Sequence, residues 1–516
     1  MLVLKDKKTI IINSSCNDAI AKVIPHAKQL EHNGEELIAI PYGVDESIVL
    51  RNMGFNVPEP IREYYDWPAK FTPMEHQKDT AAFLTTHKKS LCLNAPGTGK
   101  SISSLWAADF LLCEGVAKKV LIVAPLSTVK VVWGTELKTH LPHRQFVICT
   151  GSKKKRIDLL STPGIQYVII NHDGFSNMQE HLADIDVVIY DEATALKSAS
   201  SQRYKIFAKW MNANRPWLWM LTGTPISQTP ADAWTLARLV DSPNVSRSFT
   251  AFKDTVMKKI TQFKWVPRDD ALETCKKVLQ PSIRFSLDEC KDLPSTNFVG
   301  RKTELTPQQI KAFKDMQEKA VTIFKEGSVT AANTAVMLSK LLQICCGVVY
   351  SEDDSIVIDS SERYNTLTEL ITEIGGKVII FVPLKGVQRW LLKRLREEKY
   401  SVELVNGDVS KKDRDEILHN FQHTDQPQIL LAHPKVAAHG LTLTAAKDII
   451  WYAPIYSLEQ YEQANARIRR LTTEGKTSVW HIYATNFEAE LYRRLRAKQN
   501  TLAEFLDLVR GINSSD

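Results

Sequence analysis

Residues 91–101 read LCLNAPGTGKS, an apolar run that breaks into Gly97-Thr98-Gly99-Lys100-Ser101 and continues as ISSLWAADFLL, a helix pattern. This passage restricts the fold most. A strand ending in glycines, followed at once by Lys, Ser and a helix, is the context of a loop that closes round phosphate. Gly97 and Gly99 let backbone N–H groups, with that of Thr98 between them, point at an anion. Lys100 neutralises the β- and γ-phosphates, the Ser101 hydroxyl is a ligand for Mg2+, and the helix start adds its partial positive charge. The first position of the GxxxxGK[ST] pattern is Asn94 rather than glycine. A plain glycine-containing strand–helix turn is the competing reading, and the strand before and helix after decide against it.

The surrounding chain has the alternation such a loop needs. From Phe71 to Pro243, short β-rich runs (VLIVAP, YVIIN, VVIYDEA, WLWMLTGTP) are separated by helical stretches. Alternating strands and helices predict a parallel sheet with helices on both faces. Residues 244–360 lose the strand signal and read as Lys-rich helices, as in TPQQIKAFKDMQEKAVTIFK; from 361 the alternation returns in KVIIFVP, SVELVNG, QILLAHP, DIIWYAP and SVWHIYAT. The expected plan is a small N-terminal domain (1–66), a first α/β lobe (67–243), a helical insertion (244–360), a second α/β lobe (361–487) and a C-terminal helical tail (488–516). With 516 residues, more than one core is required.

Composition excludes little else. The net charge is +7, which permits a nucleic-acid partner without requiring one. The first 66 residues carry seven basic and ten acidic groups, so they are a poor electrostatic clamp for DNA. The eight cysteines form no CxxC pair, which argues against a zinc site or disulfide framework and for an intracellular, cytoplasmic protein. No uncharged apolar run approaches the ~20 residues that span a bilayer, so no membrane association is expected.

A second chemical signal is VVIYDEAT, an apolar strand ending in Asp191-Glu192. Beside a phosphate loop, an Asp at such a strand end holds Mg2+ and an adjacent Glu orients the attacking water. Alone, the pair would read equally well as a cap on the next helix.

With these two motifs in place, the order of the others resembles superfamily 2 helicases, specifically the Swi/Snf-type double-stranded DNA translocases, over residues 70–500. Gln77 in FTPMEHQ matches the adenine-reading glutamine of that family. LIVAPLSTVKVVW followed by Glu136 resembles motif Ia, YVIINHDGF motif Ib, DEATALKS the DEAH-box stretch with Thr194 for His, and LTGTPISQTPADAW motif III. The segment VLQPSIRFSLDECKDLP, followed by ELTPQQ, is similar to the piece these translocases place between their lobes. KVIIFVP resembles motif IV, NGDVSKKDRDEILHNF the segment after it, HPKVAAHGLTLTAA motif V with Gly440, and EQANARIRR motif VI. Gln463, Arg467 and Arg470 keep the spacing of motif VI, with Arg469 where the family has His. The wording of the last two motifs is most similar to bacteriophage-encoded members, and the lead-in NMGFNVP and YYDWPAKFTPMEHQ resembles that of annealing helicases with a HARP domain.

The resemblance implies two RecA-like motor lobes with ATP and Mg2+ between them. It assigns Gln77 to adenine, Gly97 to Ser101 to the phosphates, Ser101 and Asp191 to the metal, Glu192 to the water, Gly440 and Gln463 to the nucleotide, and Arg467 and Arg470 to the γ-phosphate. The implied partner is double-stranded or branched DNA, gripped through its phosphates, and the implied setting is the host cytoplasm during phage replication, recombination or repair. Remodelling of branched DNA is the leading expectation, displacement of bound protein such as RNA polymerase the second, and a nucleotide-switched DNA-binding module the third. The N-terminal domain is expected to recognise the substrate and orient the motor at a junction, so deleting 1–66 should spare duplex-stimulated ATP hydrolysis but weaken fork reversal or branch migration.

The Lys153-Lys154-Lys155-Arg156 run is expected to be a solvated loop, and the tail arginines either phosphate ligands or a wet helix face. Trp217 and Trp219 are expected in the core, and Trp133 could either pack or touch DNA.

Overall fold

In the computed structural model the described residues are 1–13, 15–68, 70–226, 229–260, 265–286, 289–290, 296–325, 331–350, 355–437, 443–468 and 476–497. The chain divides into two compact units, Met1–Cys290 and Lys291–Asp516.

The first unit is built on a seven-stranded parallel sheet. Its order is Ser282–Ile283, Lys89–Cys92, Trp217–Leu221, Val187–Asp191, Val120–Ala124, Tyr167–Asn171 and Phe146–Cys149. The central strands are apolar along their whole length because helices cover both faces. Alternate side chains therefore enter different cores: Leu121 and Val123 join one cluster, Val120, Ile122 and Ala124 the other. Trp217 and Trp219 are both buried, as expected.

The second unit has six strands in the order Thr296–Lys302, Thr477–Tyr483, Asp448–Trp451, Val378–Phe381, Ile429–Ala432 and Val402–Val405, all parallel. The mixed α/β class with two parallel sheets is thus as the alternation predicted. The 244–360 stretch differs from a separate helical insertion. Ser282–Ile283 extends the first sheet and Thr296–Lys302 edges the second, so this stretch is shared between the units. Both strands sit at sheet edges, where one side of the backbone stays unpaired and a run such as TNFVGRK needs little apolar character.

The N-terminal residues form a four-stranded antiparallel sheet, ordered Leu2–Leu4, Thr9–Ile12, Glu35–Pro41 and Lys28–His32. Ile10 pairs with Ile40 and Ile12 with Ile38, and all four are buried in a small core with Leu50 and Val57. Asn33 and Gly34 turn the last hairpin with φ of +53° and +81°, the left-handed pair that a tight hairpin requires.

This domain does not end at residue 66 as a free module. Ile61 is buried in the core of the first lobe, and Tyr64, Tyr65 and Trp67 pack against it. Trp67 meets Trp106 edge to face at 5.6 Å, and the Tyr65 hydroxyl donates to Asp109 at 2.6 Å. Asp109, on the helix Lys100–Cys113, also accepts from Arg144 at 2.5 Å. The exit of the N-terminal domain is therefore riveted to the helix that follows the phosphate loop. Each large side chain removed from such a site forfeits roughly 1.5–3 kcal/mol. Deleting 1–66 is expected to lower the melting temperature of the first unit and its ATP hydrolysis together, contrary to the sequence expectation. A deletion variant with unchanged melting and activity would show that these contacts are dispensable.

The tail helix Asn486–Arg496 packs Phe487 and Leu491 against Leu338, Leu341 and Leu342. Arg493 and Arg494 pair with Glu490 at 2.5 and 2.9 Å and hold its carboxyl down at about 2. Residues 498–516, including Lys498, lie outside the described residues.

His481 is buried in the second unit, 2.8 Å from the Tyr461 hydroxyl and stacked on Tyr492, and burial pushes its pKa down to about 3. The unfolded chain then binds the extra proton between pH 6.5 and about 3, so stability falls as the pH drops through that window. The expected slope is ~1.4 kcal/mol per pH unit. Denaturant titrations of this unit between pH 7 and 4 should show it, and His481→Gln should remove it.

Candidate active site

The strand Lys89–Cys92 delivers the phosphate loop at its C-terminal end, and the helix Lys100–Cys113 carries it away. Gly97 and Gly99 have φ of +87° and +85°, the left-handed region that favours glycine. A Cβ at Gly99 would collide with the Gln77 amide. Lys100 Nζ donates to the carbonyls of Asn94 at 2.8 Å and Ala95 at 3.2 Å, so the loop and its lysine hold each other's shape.

Asn94 explains the departure from the glycine pattern. Its side-chain amide donates to Thr80 Oγ1 at 2.8 Å and accepts from the Phe285 backbone N–H at 2.9 Å. It ties the loop to the helix Glu75–Thr86 on one side and to the segment after Ser282–Ile283 on the other. Glycine could make neither side-chain bond. From the same helix, His76 Nε2 contacts the Thr98 carbonyl at 2.9 Å, and the fully buried Gln77 reaches the same carbonyl at 3.5 Å. Gln77 Oε1 accepts from Met74 N–H at 3.1 Å. The structure thus brings Gln77 against the loop formed by Gly97 to Ser101.

Asp191 ends the strand Val187–Asp191, two strands from Cys92 and in the same row, because Leu221 lies between them and pairs with both. Two strand spacings make that about 9.5 Å between backbones. Asp191 is held from several sides. Its Oδ2 accepts from the Trp133 indole N–H at 2.9 Å, its Oδ1 from the Glu192 backbone N–H at 3.0 Å, and its carbonyl lies 2.9 Å from His172 Nε2. Burial lowers the His172 pKa to about 4, which keeps the ring neutral. It stacks on Tyr190 with centroids 5.0 Å apart. Glu192 sits at φ +50°, ψ +58°, a left-handed backbone unusual for a side chain of its size. Strain of this kind collects at functional positions. Thr194, the departure from the DEAH pattern, lies in the short turn Ala193–Leu196.

The loop after Trp217–Leu221 meets the phosphate loop directly. Thr222 N–H bonds the Cys92 carbonyl at 3.0 Å, and a Cβ on Gly223 would lie 2.9 Å from Pro96. The segments after Val120–Ala124 and Tyr167–Asn171 emerge side by side, since these strands are parallel with Ala124 opposite Asn171. Lys153, Lys154 and Lys155 are exposed, but on the first turn of the helix Lys153–Leu160, capped by Ser152, rather than in a loop.

In the second unit, Gln463 lies on the helix Leu458–Asn465, and the Arg467 guanidinium Nε donates to the Gln463 carbonyl at 3.0 Å. Leu443 N–H bonds the Arg467 carbonyl at 3.3 Å, which joins the HPKVAAHGLTLTAA and EQANARIRR segments. Gly440, Arg469 and Arg470 lie outside the described residues. Sequence reasoning missed Asn94 and His172 as parts of this site and left Trp133 undecided. Only the loop pattern could have flagged Asn94, as the residue standing where glycine was expected.

Among the described residues no three His, Cys, Asp or Glu side chains gather as a metal cage. Ser101 and Asp191 are hard oxygen donors, the chemistry of a Mg2+ that arrives with phosphates and needs only one or two protein ligands. No helix among the described residues is long and apolar enough to cross a membrane.

Comparison with known proteins places a SNF2-related domain over residues 44–348 and a helicase conserved C-terminal domain over 362–472. The chain is 26% identical to protein p41 of Acyrthosiphon pisum secondary endosymbiont phage 1, over 77% of this chain and 88% of that one. It is 24% identical to the ATP-dependent helicase MG018 of Mycoplasma genitalium, over 76% of this chain and 37% of that protein. This chain therefore spans well under half of the mycoplasma relative. Among solved structures, the Sulfolobus solfataricus SWI2/SNF2 ATPase core in complex with dsDNA matches with a TM-score of 0.40 and 20% identity, covering 85% of this chain and 93% of that one.

Proposed function

Because the chain belongs to the SNF2-related family of helicase-type ATP hydrolases, we propose that it is a DNA-dependent ATPase that translocates on duplex DNA and remodels branched structures. The observation that carries this reading is the phosphate loop set in one sheet row with Asp191 and the strained Glu192.

Lys100 and the Gly97–Gly99 backbone hold the phosphates. Gln77 takes the adenine edge by giving up its long bond to Thr98. Ser101 and Asp191 are the residues that hold Mg2+, which supplies charge neutralisation at the phosphates. Glu192 orients the attacking water, Gly440 and Gln463 support the nucleotide, and Arg467 and Arg470 offset charge developing on the γ-phosphate. Catalysis of this kind is positioning and electrostatics.

The paired segments after Val120–Ala124 and Tyr167–Asn171 are proposed to face DNA phosphates, which carry no sequence information. Remodelling is preferred over unwinding on energetic grounds. At a fork or junction each base pair lost is matched by one gained, whereas bare unwinding costs ~1.4 kcal/mol of stacking per step. The decisive experiment compares ATP hydrolysis with single-stranded, duplex, forked and four-way DNA at rising salt. Duplex-containing DNA is expected to stimulate, and affinity to fall by ~10³-fold or more from low to moderate salt if six or more phosphates are contacted. A rate indifferent to DNA, or a salt-independent rate at subsaturating DNA, would count against a phosphate-tracking motor. Separation of long blunt duplexes without activity on forks or junctions would sink the remodelling role.

A further inference from the structure

Trp133 lies on a π-helical turn, Val129–Gly134, that leaves the strand Val120–Ala124. Such wide turns recur at functional sites because they redirect one side chain. Gly134 lets the turn sit close to its neighbour: a Cβ there would be 3.1 Å from Ile148 Cδ1. The redirected side chain is Trp133, with no exposed surface and an indole N–H that donates to Asp191 Oδ2 at 2.9 Å. A packing role alone would be met by any large apolar ring. The N–H reaches instead the one carboxylate assigned to the metal, 58 residues away in sequence.

We infer that Trp133 is a positioning residue for the metal-facing carboxylate, fixing the rotation of Asp191 through its indole N–H. In the carboxylate, Oδ2 accepts from the Trp133 indole and Oδ1 from the Glu192 N–H, so the indole fixes which oxygen lies on its side. The bond to the Glu192 N–H also passes this constraint to the residue in the left-handed backbone. This inference rests on the ATPase reading above. Outer-shell partners of metal ligands typically contribute 10–100-fold in metal affinity.

The test is equilibrium binding of a fluorescent ATP analogue to the full chain, titrated with Mg2+ and repeated in EDTA. In Trp133→Phe the half-saturating Mg2+ concentration is expected to rise about 10-fold or more, with nucleotide affinity in EDTA unchanged. Benzothienylalanine at position 133 keeps the bicyclic shape and removes only the N–H, so it should reproduce the shift even if Phe disturbs packing. Wild-type Mg2+ dependence in the benzothienylalanine protein would overturn the inference while leaving the ATPase reading intact. A wild-type chain whose nucleotide binding ignores Mg2+ would overturn both.

Discussion

Lys100→Ala is expected to abolish measurable ATP hydrolysis, a loss of ~10³-fold or more, because the ammonium is the fixed countercharge to the transferring phosphate. The structure adds a second consequence. Lys100 Nζ also bridges the Asn94 and Ala95 carbonyls, so its removal leaves two loop carbonyls without that donor. Nucleotide affinity should therefore fall along with turnover. Lys100→Arg separates the two effects: charge is kept, but a planar fork cannot occupy the place of a compact ammionium-type donor. Nucleotide binding and single-turnover hydrolysis, measured on both variants, check this. A Lys100→Ala protein that turns over ATP normally would remove the phosphate loop from the mechanism.

Glu192→Gln is expected to behave differently. ATP should bind with nearly normal affinity, while hydrolysis slows by ~10²–10⁴-fold, the usual worth of a positioned general base. The amide has the size of the carboxylate, so the left-handed backbone at Glu192 and its N–H bond to Asp191 should persist. Loss confined to the chemical step would separate Glu192 from Lys100. A normal turnover rate in Glu192→Gln would mean that another group orients the water.

The candidate site was legible because its signals are local. Gly97, Gly99, Lys100 and Ser101 are contiguous, and their spacing alone describes a strand, a left-handed turn and a helix start. Asp191-Glu192 closes an apolar run whose length and composition mark a buried strand. The main strands of both sheets were readable for the same reason, since a strand covered on two faces is apolar throughout. The edge strands Ser282–Ile283 and Thr296–Lys302 were not, because exposure on one side relaxes that demand, while Phe146–Cys149, apolar throughout, was overlooked for its shortness alone. Residue types and spacing thus determined the α/β class, the order of the motifs and the candidate catalytic groups. Tertiary structure alone decided that Asn94 bridges two distant segments, that Tyr65 and Trp67 bind the N-terminal domain to the phosphate-loop helix, and that Trp133 faces Asp191 rather than solvent. Periodicity reports which face of an element is apolar over a few residues. It carries no information about which partner, tens of residues away, the fold will bring to within 3 Å of an indole N–H.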